Sequence, residues 1–135
     1  MLYRIQSLYL SISILFYSFS ISFLLNNRII RYNRLQALSM SLTILCIILS
    51  LSSIILFKKR KIQLILNNIN IILNTVSFLI ILFFLDSEFY SYFFDAKKIN
   101  FSLILFLFSS NILLYITNRT LKKEMKIIDS INRIR

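Results

Sequence analysis

Ten polar or small residues set inside apolar stretches are the part of this chain that could do chemistry. Gln36, Ser39, Thr43, Cys46, Ser50 and Ser53 recur at alternating steps of three and four, and Asn67, Asn70, Asn74 and Ser77 repeat the pattern further on, with Asn68 beside them. On a helix such steps return to one face. Small and hydrogen-bonding side chains on one face let helices approach closely and bond across the contact inside a membrane, each bond adding about 0.6 kcal/mol. The same stripe could instead line a hydrated ion path. The packing seam is the stronger reading, because the apolar spans contain no acid and no His to pass a proton on. Ser and Thr also bond back to their own helix backbone, which takes some of them out of the seam.

The remaining chemistry is sparse. There is no His, one Cys and five acids, so neither a metal cluster, a Cys-His pair nor an internal disulfide is expected, and no cofactor. Catalytic and metal-binding residues are therefore expected to be none. Phe83, Phe84, Phe89, Tyr90, Tyr92, Phe93 and Phe94 crowd together after the Asn stripe. They read as an aromatic belt at a membrane interface; a site for a quinone or another flat ligand lacks a converging polar group.

The elements that must position these residues follow from an absence. The 135 residues contain no Gly and no Pro, the usual material of turns, so the chain is expected to be nearly all helix with short links. Four apolar spans stand out, at about 9–25, 35–57, 62–85 and 99–118. At 1.5 Å per residue each reaches about 25–36 Å, enough to cross a bilayer. The first is too long for a signal-peptide core and has no small-x-small cleavage site after it, so it reads as a retained helix. Residues 119–135 differ: Leu121, Met125, Ile128 and Asn132 share a face among Lys, Glu and Asp, the pattern of an amphipathic surface helix. The expected fold is all-α, a four-helix transmembrane domain over 1–118 with a basic amphipathic tail.

Charge orients it. With four spans, Arg4, the Lys58–Lys61 quartet and six tail cations share one side, eleven in all, against Arg28, Arg31, Arg34, Lys97 and Lys98 on the other. The positive-inside rule puts both termini in the cytoplasm, or in the matrix for an organellar protein. The net charge of +11 thus belongs to topology and anionic headgroups. Lys58, Lys59, Arg60, Lys61, Lys122 and Lys123 are the expected contacts for a lipid such as cardiolipin, and no nucleic acid is expected as a partner.

Composition points to a source. Ile (26), Leu (25), Ser (18), Phe (13) and Asn (11) dominate, beside two Ala and one Val. Selection for hydrophobicity alone would use Val and Ala as well. Residues with AT-rich codons replace them, the mark of an extremely AT-rich genome such as that of a protist organelle or an endosymbiont.

Residues 25–45 read LNNRIIRYNRLQALSMSLTIL: a helix end, an Asn-Arg loop, then a helix entered through Met40, Ser41 and Leu42. This resembles the 4L subunit of respiratory NADH dehydrogenase (complex I), whose second helix carries a Met-Ser-Ile-Glu run. Thr43 stands where that family has its membrane Glu, and the family has three helices against four here, so no residue is carried over as catalytic. The resemblance implies a non-catalytic membrane subunit of the mitochondrial inner membrane, in the proton-pumping arm of complex I, packed against other membrane subunits. Cytochrome oxidase and the ATP synthase membrane sector are the next hosts. An independent small transporter from an AT-rich bacterium is the other class, although such exporters carry an intramembrane Glu and helix-breaking Gly or Pro.

Overall fold

The computed structural model describes residues 2–26, 33–86 and 97–134, and all but a short turn of them is helix. Four helices follow one another: α1 (Leu2–Asn26), α2 (Asn33–Ile55), α3 (Arg60–Asp86) and α4 (Lys97–Ile134). Each is long and apolar enough to cross a membrane. The spans expected at 9–25, 35–57 and 62–85 lie within α1, α2 and α3, apart from Leu56 and Phe57, which belong to the turn.

The link between α2 and α3 shows how the chain turns without Gly. Lys59 N donates to the Leu56 carbonyl at 2.9 Å, and the Lys59 carbonyl accepts from Gln63 N at 3.0 Å, so Lys59 ends one helix and opens the next. Among the described residues no backbone enters the left-handed region. Ordinary residues therefore suffice for the turn.

Each helix packs on two neighbours, α1 on α2, α2 on α3, α3 on α4 and α4 back on α1, and among the described residues no Cα atoms of diagonally opposed helices come within 8 Å of each other. This is an up-down-up-down four-helix bundle. Its buried positions are spaced with little deviation: 6, 10, 13, 17, 20 and 24 on α1; 39, 43, 46, 50 and 53 on α2; 63, 67, 70, 74, 77 and 81 on α3; 103, 107, 110, 114, 117, 121 and 124 on α4, with Asn118 beside them. The steps alternate between three and four throughout. A period of 3.5 residues keeps one seam of each helix on the bundle axis over its whole length.

What faces inward reverses the usual order. The core holds Gln6, Ser13, Ser20, three Asn of α3 and Thr117 among a few Leu, while Leu15, Ile48, Ile72, Leu105, Phe108 and Tyr115 are exposed. Polar side chains at the helix contacts and apolar ones outside are the arrangement that a lipid surround would favour over water. Ring contacts bind the periphery: Phe106 stacks on Phe19 at 5.8 Å and meets Phe16 at 5.8 Å, and Phe78 meets Phe108 at 6.4 Å.

The fourth span and the tail form one element. α4 runs for 38 residues, about 57 Å, without a break where a separate tail was expected at residue 119. Leu121 and Glu124 stay in the buried seam, and residues 126–134 continue as exposed helix.

Candidate functional site

The polar side chains converge on the axis, and their cross-links fix the register of the helices. Between α2 and α3, Ser53 Oγ donates to Asn67 Oδ1 at 3.0 Å and Asn70 Nδ2 donates to Ser50 Oγ at 2.8 Å. Between α3 and α4, Asn74 Nδ2 donates to Ser110 Oγ at 2.8 Å and to the Leu107 carbonyl at 3.3 Å. Nearer the basic end Asn118 Nδ2 donates to Asn68 Oδ1 at 2.6 Å, and Arg60 Nε lies 3.6 Å from Glu124 Oε2. On the α1 side, Tyr17 stands beside Cys46 and Ser110.

Carried along the seams, these pairs stack the core into layers of four. Leu24, Ser39, Ile81 and Leu103 make an end layer in which three members are apolar. Below it come Ser20, Thr43, Ser77 and Leu107; then Tyr17, Cys46, Asn74 and Ser110; then Ser13, Ser50, Asn70 and Leu114; then Leu10, Ser53, Asn67 and Thr117. Gln6 and Gln63 lie level with Leu121, and Glu124 with Arg60 closes the far end.

Of the residues expected in the stripe, Ser50, Ser53, Asn67, Asn70 and Asn74 form the cross-helix bonds. Thr43 and Ser77 are buried but donate to the Met40 and Asn74 carbonyls of their own helices. Ser39 and Cys46 are fully buried in the seam. Gln36 belongs to α2, and its side chain lies outside the described residues, as do those of Phe83 and Phe84 and all of Phe89, Tyr90, Tyr92, Phe93 and Phe94. The six expected lipid-contact cations gather at one end of the bundle. Lys58, Lys59, Lys61, Lys122 and Lys123 are exposed there, while Arg60 is one-third exposed and turned toward Glu124.

Sequence reasoning missed half of the column. Gln6, Ser13, Tyr17 and Ser20 of α1 and Ser110, Thr117 and Glu124 of α4 share it. Glu124 matters most. It lies six residues past the expected end of the fourth span, yet only 5% of it is exposed, so an acid does stand in the bundle interior. Its position seven residues after Thr117 and fourteen after Ser110 was the available signal.

Several of these groups lack a protein partner at one atom: Gln6 Nε2, Asn67 Nδ2, Asn70 Oδ1, Asn74 Oδ1, Asn118 Oδ1 and the Tyr17 hydroxyl. Neither Glu124 oxygen accepts a hydrogen bond from the protein, and the Arg60 contact is purely ionic. Each buried polar atom left unmet costs about 1–3 kcal/mol. Among the described residues no three His, Cys, Asp or Glu gather into a metal-binding group.

No curated protein and no solved structure matches this sequence. One family model does, over residues 19–134, which takes in the end of α1 and everything from α2 to the last turn of α4. Since that stretch is most of the bundle, the chain belongs to the DUF4293 family, a domain of unknown function.

Proposed function

We propose that the protein is an integral, multi-pass membrane subunit with a structural role in a larger respiratory complex. The membrane arm of complex I is the first host, and cytochrome oxidase or the ATP synthase membrane sector the alternatives. The observation that carries the structural role is how the polar groups of the helices are spent. They turn to the axis, and away from the charged helix ends the exposed surface is apolar apart from the Tyr115 hydroxyl, a few hydroxyls bonded back to their own backbone (Ser11, Ser18, Ser22, Ser41 and Thr75) and Asn68, which is held by Asn118. Such a body offers apolar faces to lipid and to neighbouring subunits. Composition and the stretch around Met40, Ser41 and Leu42 support the respiratory host, and Thr43, at the position of the resembled family's acid, is buried on the axis.

In this reading the chain sits in the mitochondrial inner membrane with both termini in the matrix. The exposed lysines at the basic end meet anionic lipid such as cardiolipin. A second reading, an independent small transporter from an AT-rich bacterium, gains from Glu124, since buried intramembrane acids mark transport sites.

Native separation of the membranes in mild detergent, followed by mass spectrometry, tests the proposal. Co-migration with a respiratory complex is expected, and Asn70→Leu or Asn74→Leu should weaken that assembly while leaving separately assayed turnover intact. Migration of the wild-type chain as a small homo-oligomer would overturn it in favour of transport.

A further inference from the structure

The last helix outruns the bundle. Glu124 is the last buried residue of α4, and residues 125–134 carry the helix about 15 Å further. Along that stretch Ile127, Ile131 and Ile134 are each more than half exposed, and Ile128 is more than one-third exposed. At about 100° per residue the four isoleucines share one side of the helix, while Lys122, Lys126, Asp129 and Arg133 share the other. Ile128 and Ile131 continue the three-four steps of the buried positions 117, 121 and 124. The isoleucine side therefore overhangs the end of the bundle and is turned away from the lipid beside α4.

The end it overhangs is cationic. Lys58 and Lys59 of the α2–α3 turn are exposed there, with Lys61 and Lys123. Arg4 is exposed near the start of α1, which the antiparallel order brings to the same end. The two acids of this region do not offset them: Glu124 is buried beside Arg60, and Asp129 lies on the far side of α4.

These placements separate the occupants that can cover the isoleucines. Lipid reaches them only if the tail folds down onto the membrane, and α4 runs to Ile134 without a break. A second copy packed against the lipid-facing side of α4, where Phe108, Ile112 and Tyr115 are exposed, would set Lys122, Lys126 and Arg133 against the same cations. A protein segment with one apolar face and acidic margins meets neither obstacle, since its apolar face covers the isoleucines and its carboxylates meet the lysines.

We propose that the overhanging end of α4 and the cationic end of the bundle form a docking shelf for an acidic, apolar-faced helix of a peripheral protein. The isoleucines supply the apolar contact, and Lys58, Lys59, Lys61 and Lys123 select the partner by charge and steer its approach. The shelf rests on the fold alone, whichever complex the chain joins.

Carbodiimide crosslinking of native membranes that hold the full-length chain tests this, because the reagent joins a lysine to a carboxylate in contact with it. Mass spectrometry is expected to find Lys58, Lys59 or Lys123 joined to Asp or Glu residues beside the apolar face of a helix in one other protein. Lys126, on the far side, should stay unjoined to that protein and open to acetylation. Washing the membranes in about 0.5 M salt before crosslinking should lower the yield about fivefold, as expected of exposed ion pairs. Ile131→Asp lies outside the bundle and so spares its packing; it should lower the yield about tenfold by setting a carboxylate on the apolar ridge. If Lys58, Lys59 and Lys123 stay unjoined and acetylate as readily as Lys126, the shelf is bare and the proposal fails. It fails equally if they are joined to a second copy of this chain or to the carboxylate of a lipid. A yield indifferent to Ile131→Asp or to salt also sinks it, because the ridge or the charge then plays no part.

Discussion

The contact between Arg60 and Glu124 joins two unequal partners. Glu124 is 95% buried and Arg60 is one-third exposed, so the two lose different things when the pair is broken. Arg60→Leu leaves a carboxylate inside the bundle with no counter-charge and no hydrogen bond from protein, which costs about 3 kcal/mol or more. Glu124→Gln leaves a guanidinium that can swing into water, and a neutral amide that tolerates burial far better than a charge. The first variant should therefore lower the thermal midpoint in detergent clearly more than the second. Equal losses would mean that the pair acts as a plain surface ion bridge, worth less than about 1 kcal/mol from either side. Glu124→Gln also separates the ion pair from the polar column, since Gln keeps hydrogen-bonding groups at that end of the bundle and removes only the charge.

At the scale of the element, the 3.5-residue seam decides what faces in. One Ala inserted after Leu114 rotates everything beyond it by about 100°, turning Thr117, Leu121 and Glu124 out of the axis and Ile116, Thr120 and Lys123 toward it. The helix itself would survive, because Ala is its best former. The bundle should not, and circular dichroism in detergent would show retained helicity with loss of a cooperative thermal transition. The same insertion after Ile127, in the exposed end of α4, should leave that transition in place. If both insertions are tolerated, the seam does not hold the helices together. The seam also explains how much was legible beforehand. On α2 and α3 its positions are polar in a sea of Ile and Leu, so the three-four steps showed at once. On α1 and α4 it is carried in part by Leu10, Leu24, Leu103, Leu107 and Leu114, and a leucine on the axis is chemically the same as one facing lipid. Glu124 was hidden for another reason: a span read from hydropathy stops at the first charges, here Arg119, while packing continues for as long as a neighbour is present. The number and type of helices were readable because Gly and Pro are missing, whereas the layering needed the register that only cross-helix bonds supply.

For the molecule as a whole, the fold and the charge distribution make separate statements that one experiment can compare. The antiparallel bundle puts the α2–α3 turn and the C-terminal end of α4 at the same end, because Arg60 meets Glu124 there. The proposed orientation makes that end the inner one, on the strength of eleven cations against five. Cys46 is the single cysteine, so Cys46→Ser gives a background in which introduced cysteines report their own location. In that background Lys59→Cys and Ser130→Cys should behave alike toward a membrane-impermeant maleimide: unlabelled from outside in intact cells or mitoplasts, labelled once the membrane is opened. Arg31→Cys, between α1 and α2, should be labelled from outside without permeabilisation. Discordance between Lys59→Cys and Ser130→Cys would contradict the bundle itself, since two groups at one end cannot face opposite compartments. Concordance with the sides exchanged would leave the bundle intact and overturn the charge argument instead. The Arg28, Arg31 and Arg34 group would then be the inner anchor.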